Sequence, residues 1–406
     1  MAENQEIVRL RNKNRITIVY KVVDGCSLSL DLYPASIPSD GGPTTGVPTI
    51  VYFHGGGLNV GNRESWFPTW FYNRLNAAGI TFISADYRLM PPASGHEIVE
   101  DVKDIFAFIH DNAFHEKVYS AWMALQSQLG ALSEHTLPPS YKIDKASIGV
   151  AGSSAGGLCA YLAAIHVTPK PKVLISVCGQ GGHFLSPQYL TPKTQIFFRG
   201  RDLLDPSRFS QYLYPEVFDN PDPRWVADSP PAWHPPTSPT PGYPANPRMQ
   251  LVLLYLQLAV WLDYYTGEHN PGLSQRLNAV LVEKGVDVNW KDVGDEEHTQ
   301  LVDELSKLIP ERHRPLFPQL HIASTPSNAL QSHWPPTALI HGTSDTAVLS
   351  VESELMYKLL KERGVWVDLV LVDGQDHAFD YAGNAEERFG KDFDKVVEFA
   401  VRWIRA

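Results

Sequence analysis

Short, nearly continuous apolar runs alternate along the chain with longer stretches whose apolar positions recur every three or four residues. Runs of the first kind suit strands buried on both faces, and stretches of the second kind suit amphipathic helices. "RITIVYKV" (Arg15–Val22) and "SLSLDLYPA" (Ser27–Ala35), joined through Asp24-Gly25, read as an antiparallel start. "PTIVYFH" is the next strand, followed by an aromatic helix in "SWFPTWFYNRLNAAG" (Ser65–Gly79). "ITFISADY" is a strand, and "EIVEDVKDIFAFIHDNA" (Glu97–Ala113) has helical spacing. "ASIGVAG", "LCAYLAAIHV" and "KVLISVCG" then read as strand, helix and strand. Much later come the strand "PTALIHG", the helix "SVESELMYKLLKERG", the strand "VWVDLVLVDG" and a last helix in "DFDKVVEFAVRWIRA". Strands alternating with helices predict a mostly parallel sheet covered by helices on both faces.

From about His183 to Trp334 the alternation stops. The stretch "DSPPAWHPPTSPTPGYPANP" is too rich in proline for a regular helix or a central strand. Helical segments follow at Met249–Tyr265, Leu273–Lys284 and Glu296–Leu308. A structureless loop of such length is improbable inside a compact domain. The expected organisation is therefore a core made of residues 1–182 and 335–406, with a mainly helical, proline-rich cap inserted at 183–334.

Composition narrows the partners. The 406 residues are 43% hydrophobic and carry a formal net charge of −11, without a Lys/Arg block. Nucleic acid and anionic membrane surfaces are poor partners for such a chain. The opening "MAENQEIVRLRNKNR" has no apolar segment of the secretory kind. Three cysteines, Cys26, Cys159 and Cys178, form no paired motif and fit a reducing compartment, so a cytoplasmic location is expected. The longest apolar run, Met249–Leu262, is too short for stable membrane insertion.

The candidate chemistry begins at "VAGSSAGG" (Val150–Gly157), a G-x-S-x-G pentad centred on Ser154 between a strand-like and a helix-like segment. A sharp strand-to-helix turn can project a serine at its apex when the neighbouring residues are small. A serine hydroxyl attacks poorly without a positioned base. His377, in "DGQDHAF" after the last strand, is the candidate base. Asp345, in "HGTSD" after the preceding strand, is the candidate orienting acid, with Asp373 as a minority alternative. The order Ser154, Asp345, His377 is the one expected of a nucleophile elbow. Attack on a carbonyl creates an oxyanion that needs N–H donors. Ala155 follows the serine, and "HGGG" (His54–Gly57) follows the third strand, so both can supply them. Glycine loops also cradle phosphate, but no Lys-Ser/Thr follows this one and no G-x-G-x-x-G opens a helix.

With "HGGG", "ADYRLMPP" (Ala85–Pro92), "GSSAGG" (Gly152–Gly157), "HGTSD" and "DGQDHAF", the chain resembles the α/β-hydrolases of the hormone-sensitive-lipase-like carboxylesterase group. The resemblance implies Ser154 as nucleophile, His377 as general base and acid, and Asp345 as its orienter. It also implies N–H donors at Gly56, Gly57 and Ala155, with Gly55 as a further candidate, and a loop-shaping role for His54. Three features depart from the group. Ser153 stands where Asp is common, "MPPASGHE" replaces the usual continuation after Arg88, and the N-terminal cap helices are missing.

The function expected is hydrolysis of small to medium apolar or aromatic esters through an acyl-enzyme on Ser154, with no cofactor. An amidase, arylformamidase or lactonase would use the same residues. A non-catalytic small-molecule receptor is the alternative of a different class. No H-E-x-x-H or clustered Cys/His spacing points to a metal. Cys159 reads as a packed thiol, and Trp225, Trp233, Trp261, Tyr264 and Tyr265 read as cap core. Oligomeric state is left open by the sequence.

Overall fold

The computed structural model describes residues 15–35, 46–129, 137, 141–219, 224–286 and 296–406. The first fourteen residues, on which the expectation about a leader rests, lie outside them. Eight strands form one sheet: β1 (Ile16–Val23), β2 (Cys26–Tyr33), β3 (Val47–Phe53), β4 (Thr81–Ala85), β5 (Ile143–Ser153), β6 (Leu174–Val177), β7 (Thr337–Gly342) and β8 (Val367–Val372). Their spatial order is β1-β2-β4-β3-β5-β6-β7-β8. β2 pairs antiparallel with β1 and β4, and every other pairing is parallel.

Alternation of side chains across this sheet builds two separate cores. Ile50 and Tyr52 face one core and Val51 and Phe53 the other, as do Ile175 against Leu174 and Ala151 against Val150. Helices α1 (Thr69–Ala77) and α11 (Ala385–Ile404) cover the first face through Phe71, Leu75, Phe393 and Ala400. Helices α2 (Gly95–His110) and α4 (Ala155–His166) cover the second through Ile98, Val102, Leu158 and Leu162. A Ser94–Glu97 capping box starts α2, two residues earlier than its apolar spacing indicates. The sequence reading omits α3 (Phe114–Leu129) altogether.

Between β6 and β7 lies the inserted, mainly helical and proline-rich cap region. The helix expected over Met249–Tyr265 is broken in two, α5 (Leu251–Gln257) and α6 (Trp261–Thr266). Ala259 between them has φ +52, which ends helical geometry without a glycine or proline to announce it. α7 (Leu273–Glu283), α8 (Glu296–Lys307) and α9 (Pro318–Ser324) follow, and α10 (Val351–Glu362) lies between β7 and β8. Among the described residues no helix is long and apolar enough to cross a membrane.

Candidate active site

The parallel strands β3, β5, β7 and β8 bring their carboxyl ends to one edge, where open α/β sheets place their ligands. Ser154 stands at the β5–α4 junction with φ +53 and ψ −123, a conformation costly for a residue with a side chain. Its surroundings hold it there. Ser154 N–H donates to Val177 O at 2.9 Å, and its carbonyl accepts from Gly157 and Gln180 at 2.9 and 3.0 Å. A methyl group at Gly152 would lie 1.9 Å from Gly156 O, and one at Gly156 would lie 2.0 Å from Phe53 O. Small residues around the serine are thus a packing requirement of the turn.

His377 follows β8, and its Nδ1 lies 2.6 Å from Asp345 Oδ2. Since the carboxylate only accepts, Nδ1 carries the proton and Nε2 is left free to act as a base. Asp345 is otherwise fully engaged. Its Oδ1 accepts from the N–H groups of Ala347 and Val348 at 2.9 and 3.0 Å. Burial alone would raise its pKa, but His377 and His341 outweigh burial and hold the carboxyl well below the ordinary range. Asp373 accepts from Thr343, and Asp376 accepts from Thr346, so neither takes the place of Asp345 beside the ring.

The sequence reading missed a second hydrogen-bonded chain on the same carboxylate. His341 Nε2 lies 3.1 Å from Asp345 Oδ2 and 2.9 Å from Val348 O, while its Nδ1 is 2.7 Å from Ser353 Oγ. Two acceptors at Nε2 place the ring proton there, so in the neutral ring Nδ1 accepts from the Ser353 hydroxyl. Ser353, His341 and Asp345 therefore form a Ser–His–Asp chain, and all three are buried. No local motif marks it, because Ser353 lies within α10 and meets His341 only after β7 and α10 pack.

His377 and Ser154 line one cavity of about 130 Å³ together with Gly55, Gly56 and Gly57. Among the described residues the Ser154 hydroxyl makes no hydrogen bond to the His377 ring, an interaction that often tightens only when substrate binds. Gly56 and Gly57 have φ +106 and +65, and a methyl group on Gly57 would meet Val252 of α5 at 2.6 Å. Among the described residues no protein acceptor takes the N–H of Gly56, Gly57 or Ala155. Gly55 lies against Ser154, with only 3.2 Å between its would-be Cβ and the serine Cβ.

His54 shapes this loop from behind. Its Nδ1 is 2.7 Å from Gly55 O, its ring stacks on Tyr87 at 4.4 Å, and Tyr87 OH donates to His54 O at 2.8 Å. Burial pushes the imidazole pKa down to about 4, so the ring is neutral. Ser153, next to the elbow serine, is 2.7 Å from Tyr52 OH. Arg248 of the cap is buried, meets no carboxylate among the described residues, and donates to the carbonyls of Asn59 at 2.7 Å and Pro91 at 2.6 Å. It thereby fastens the glycine loop to the cap.

The cavity's apolar wall comes from Met249, Val252 and Leu256, one face of the broken cap helix. None of the five aromatic cap residues singled out in the sequence lines it. Trp261, Tyr264 and Tyr265 are buried in the cap, but Trp233 is exposed, so the assignment of all five to the cap core needs correction. Cys159 is a buried thiol whose pKa is pushed well up by burial, with the charge of Asp101 adding to it. Cys178 Sγ, Asp345 and His377 offer ligand atoms within 4.8 Å of one another. Burial raises the Cys178 thiol, and Asp345 and His377 are already bonded to each other, which suits a proton-handling pair better than a metal set.

A serine held at a strand–helix elbow, with a histidine–aspartate pair at the same sheet edge, defines an α/β-hydrolase arrangement, and the chain has the fold of that superfamily. Comparisons with known proteins agree. Residues 50–225 match the family described as alpha/beta hydrolase fold, and residues 274–406 match the prolyl oligopeptidase family. An Enterococcus faecalis alpha/beta hydrolase superfamily protein superposes with a TM-score of 0.52 at 14% identity, covering 92% of this chain and 96% of that one. A Staphylococcus aureus protein of unknown function gives 0.51 at 18% identity, covering 96% and 99%. At such identities the likeness concerns the fold. A probable carboxylesterase M8 of Phoma sp. is 27% identical over 132 residues, 32% of this chain and only 36% of that protein's length.

Proposed function

We propose that the protein is a serine carboxylic-ester hydrolase of the hormone-sensitive-lipase-like group, with Ser154 as nucleophile, His377 as general base and acid, and Asp345 as the residue that orients His377. The observation that carries this reading is the strained elbow that puts Ser154 into the same cavity as His377, whose far nitrogen is tied to Asp345. His377 takes the Ser154 proton as the hydroxyl attacks the ester carbonyl, then returns it to the leaving alcohol; water repeats the cycle on the acyl-enzyme. Gly56, Gly57 and Ala155 are the proposed oxyanion donors, with Gly55 a further candidate, and their uncommitted N–H groups support that role. Ser353 is a poor nucleophile candidate because it is buried behind His341.

A cavity of about 130 Å³ suits a small acyl or aromatic group, since a buried apolar hollow of ~150 Å³ is enough to bind benzene. The core is proposed to comprise 1–182 and 335–406, with the cap at 183–334. Three free cysteines support a reducing, cytoplasmic setting. The match of the C-terminal third to the prolyl oligopeptidase family favours amide or peptide bonds as a second reading. A fluorophosphonate probe should label Ser154 and no other serine, as read by peptide mass spectrometry. Turnover of p-nitrophenyl butyrate should exceed that of the matching anilide. Labelling elsewhere would overturn the assignment, and faster anilide cleavage would favour the second reading.

A further inference from the structure

Two cationic side chains from the start of the cap region, Arg199 and Arg201, line the catalytic cavity. They lie on a tight turn, "FRGR", in which Arg201 N–H donates to Phe198 O at 3.0 Å. The central residues Arg199 and Gly200 both have positive φ, +50 and +64, the pattern of a type I′ turn. For Arg199 that backbone is unfavourable, so this turn is held in place against its intrinsic preference. Phe198, also on the turn, lines the same cavity.

The two arginines differ in what they meet. Arg199 Nε lies 3.7 Å from Asp376, a loose, exposed pair. Among the described residues the Arg201 guanidinium has no hydrogen bond and no ion pair. It also borders a second hollow on the cap, where Asp202 and Asp205 lie, yet neither pairs with it. The carboxylates at the catalytic cavity are otherwise committed. Asp345 is saturated by two histidines and two N–H groups, and Asp380 accepts from Trp70 Nε1 at 3.0 Å. Burial pushes the Asp380 carboxyl up to about 6, which further weakens it as a counter-charge. Desolvation, reinforced by Arg199, depresses the pKa of Arg201. A half-buried guanidinium next to a like charge and without an acid is costly unless something else supplies the anion.

Resting on the esterase reading, we propose that the preferred substrate is an ester bearing a free carboxylate, its ester carbonyl at Ser154 and its carboxylate on Arg201 with Arg199 beside it. The apolar wall of Met249, Val252 and Leu256 holds the linker between the two groups. A planar guanidinium presents two parallel donors to a carboxylate, so Arg201 gives orientation as well as attraction. The substrate class is thereby narrowed from apolar esters to half-esters of short dicarboxylic acids and their analogues.

The test compares p-nitrophenyl butyrate with the half-ester p-nitrophenyl glutarate, which adds a terminal carboxylate. The wild-type protein should favour the glutarate in kcat/KM by about 10- to 100-fold, the range expected for a charged hydrogen bond. Arg201→Gln should collapse that ratio, mainly through KM for the glutarate, while Arg201→Lys retains part of it. Arg201→Glu should invert the ratio. A wild-type ratio near one, or a ratio unmoved by Arg201→Gln, overturns the proposal. Absence of hydrolysis of both esters, or hydrolysis that survives Ser154→Ala, would instead overturn the esterase reading on which it rests.

Discussion

Asp345 sits between two histidines, and the two sides of its carboxylate are instructive opposites. On one side His341 joins it to Ser353, with every hydrogen-bonding atom of the chain buried and satisfied. On the other, His377 joins it and opens onto the cavity that Ser154 also lines. Residue types are the same on both sides. What separates them is access and strain: Ser154 has positive φ and faces a cavity, whereas Ser353 lies in an ordinary helix behind packed side chains. A serine, a histidine and an aspartate in hydrogen-bonding reach therefore do not by themselves specify a nucleophile. The buried chain fixes the position of the carboxylate from behind, and the open one can use it.

Breaking each side should give different losses. Ser154→Ala should lower kcat on p-nitrophenyl butyrate by about 10⁶-fold, as in other serine hydrolases, with the melting temperature little changed. Survival of near-normal turnover would remove Ser154 from the mechanism. Asp345→Asn touches both sides at once and should cost about 10⁴-fold in kcat. Its stability effect should depend on pH with a definite sign. The folded-state pKa of Asp345 is depressed, so its contribution is complete above the usual carboxylate value of 3.8 and is lost as pH falls below it. The stability advantage of wild type over Asp345→Asn, measured by urea unfolding, should shrink between about pH 5 and pH 2; an advantage that grew on acidification would contradict the assignment.

Gly56→Ala tests the donors opposite the triad. Its added methyl would lie 2.0 Å from Val60 O, so the loop must shift, and a cost of about 10²–10³ in kcat is expected. Unchanged kcat would separate this loop from the oxyanion. Ser353→Ala should show the smallest kinetic effect, below about tenfold, because His341 still reaches Asp345 through its other nitrogen. Its main consequence is an unsatisfied buried Nδ1, a loss of about 1–3 kcal/mol in unfolding free energy. A larger kinetic than thermodynamic effect would mean that the buried chain steers His377 directly.

The same contrasts divide what the amino-acid sequence discloses from what only the folded chain brings together. The central strands are legible because strands buried on both faces are apolar at nearly every position, as in Ile50–Phe53, and the edge strand β1 is legible by alternation of buried and exposed positions at its start. The Ser154 elbow and the glycine loop are legible because close packing around the two turns leaves few residue types possible. The His341–Ser353 contact is not, since each residue is ordinary in its own element and their meeting depends on packing. α3 carries the same helical spacing, with Phe114, Val118 and Trp122 buried on one face, so its absence from the sequence reading has no physical cause, whereas the break at Ala259 carries no glycine or proline. Arg201 is hidden for a related reason. An arginine in a loop is unremarked in sequence, and only the absence of a nearby acid makes it informative.

Arg248 has a kinetic consequence. Its guanidinium is held inside by carbonyls of the glycine loop and of the segment after Arg88, and Val252 rests against Gly57. Swinging this part of the cap away would strip a buried cation of its acceptors and open the loop that is proposed to receive the oxyanion. The part of the roof that carries Arg248 and Val252 is thus anchored to the core on both sides of the glycine loop. Turnover should rise hyperbolically with dissolved ester and show no jump when substrate passes its solubility limit and presents an oil–water surface.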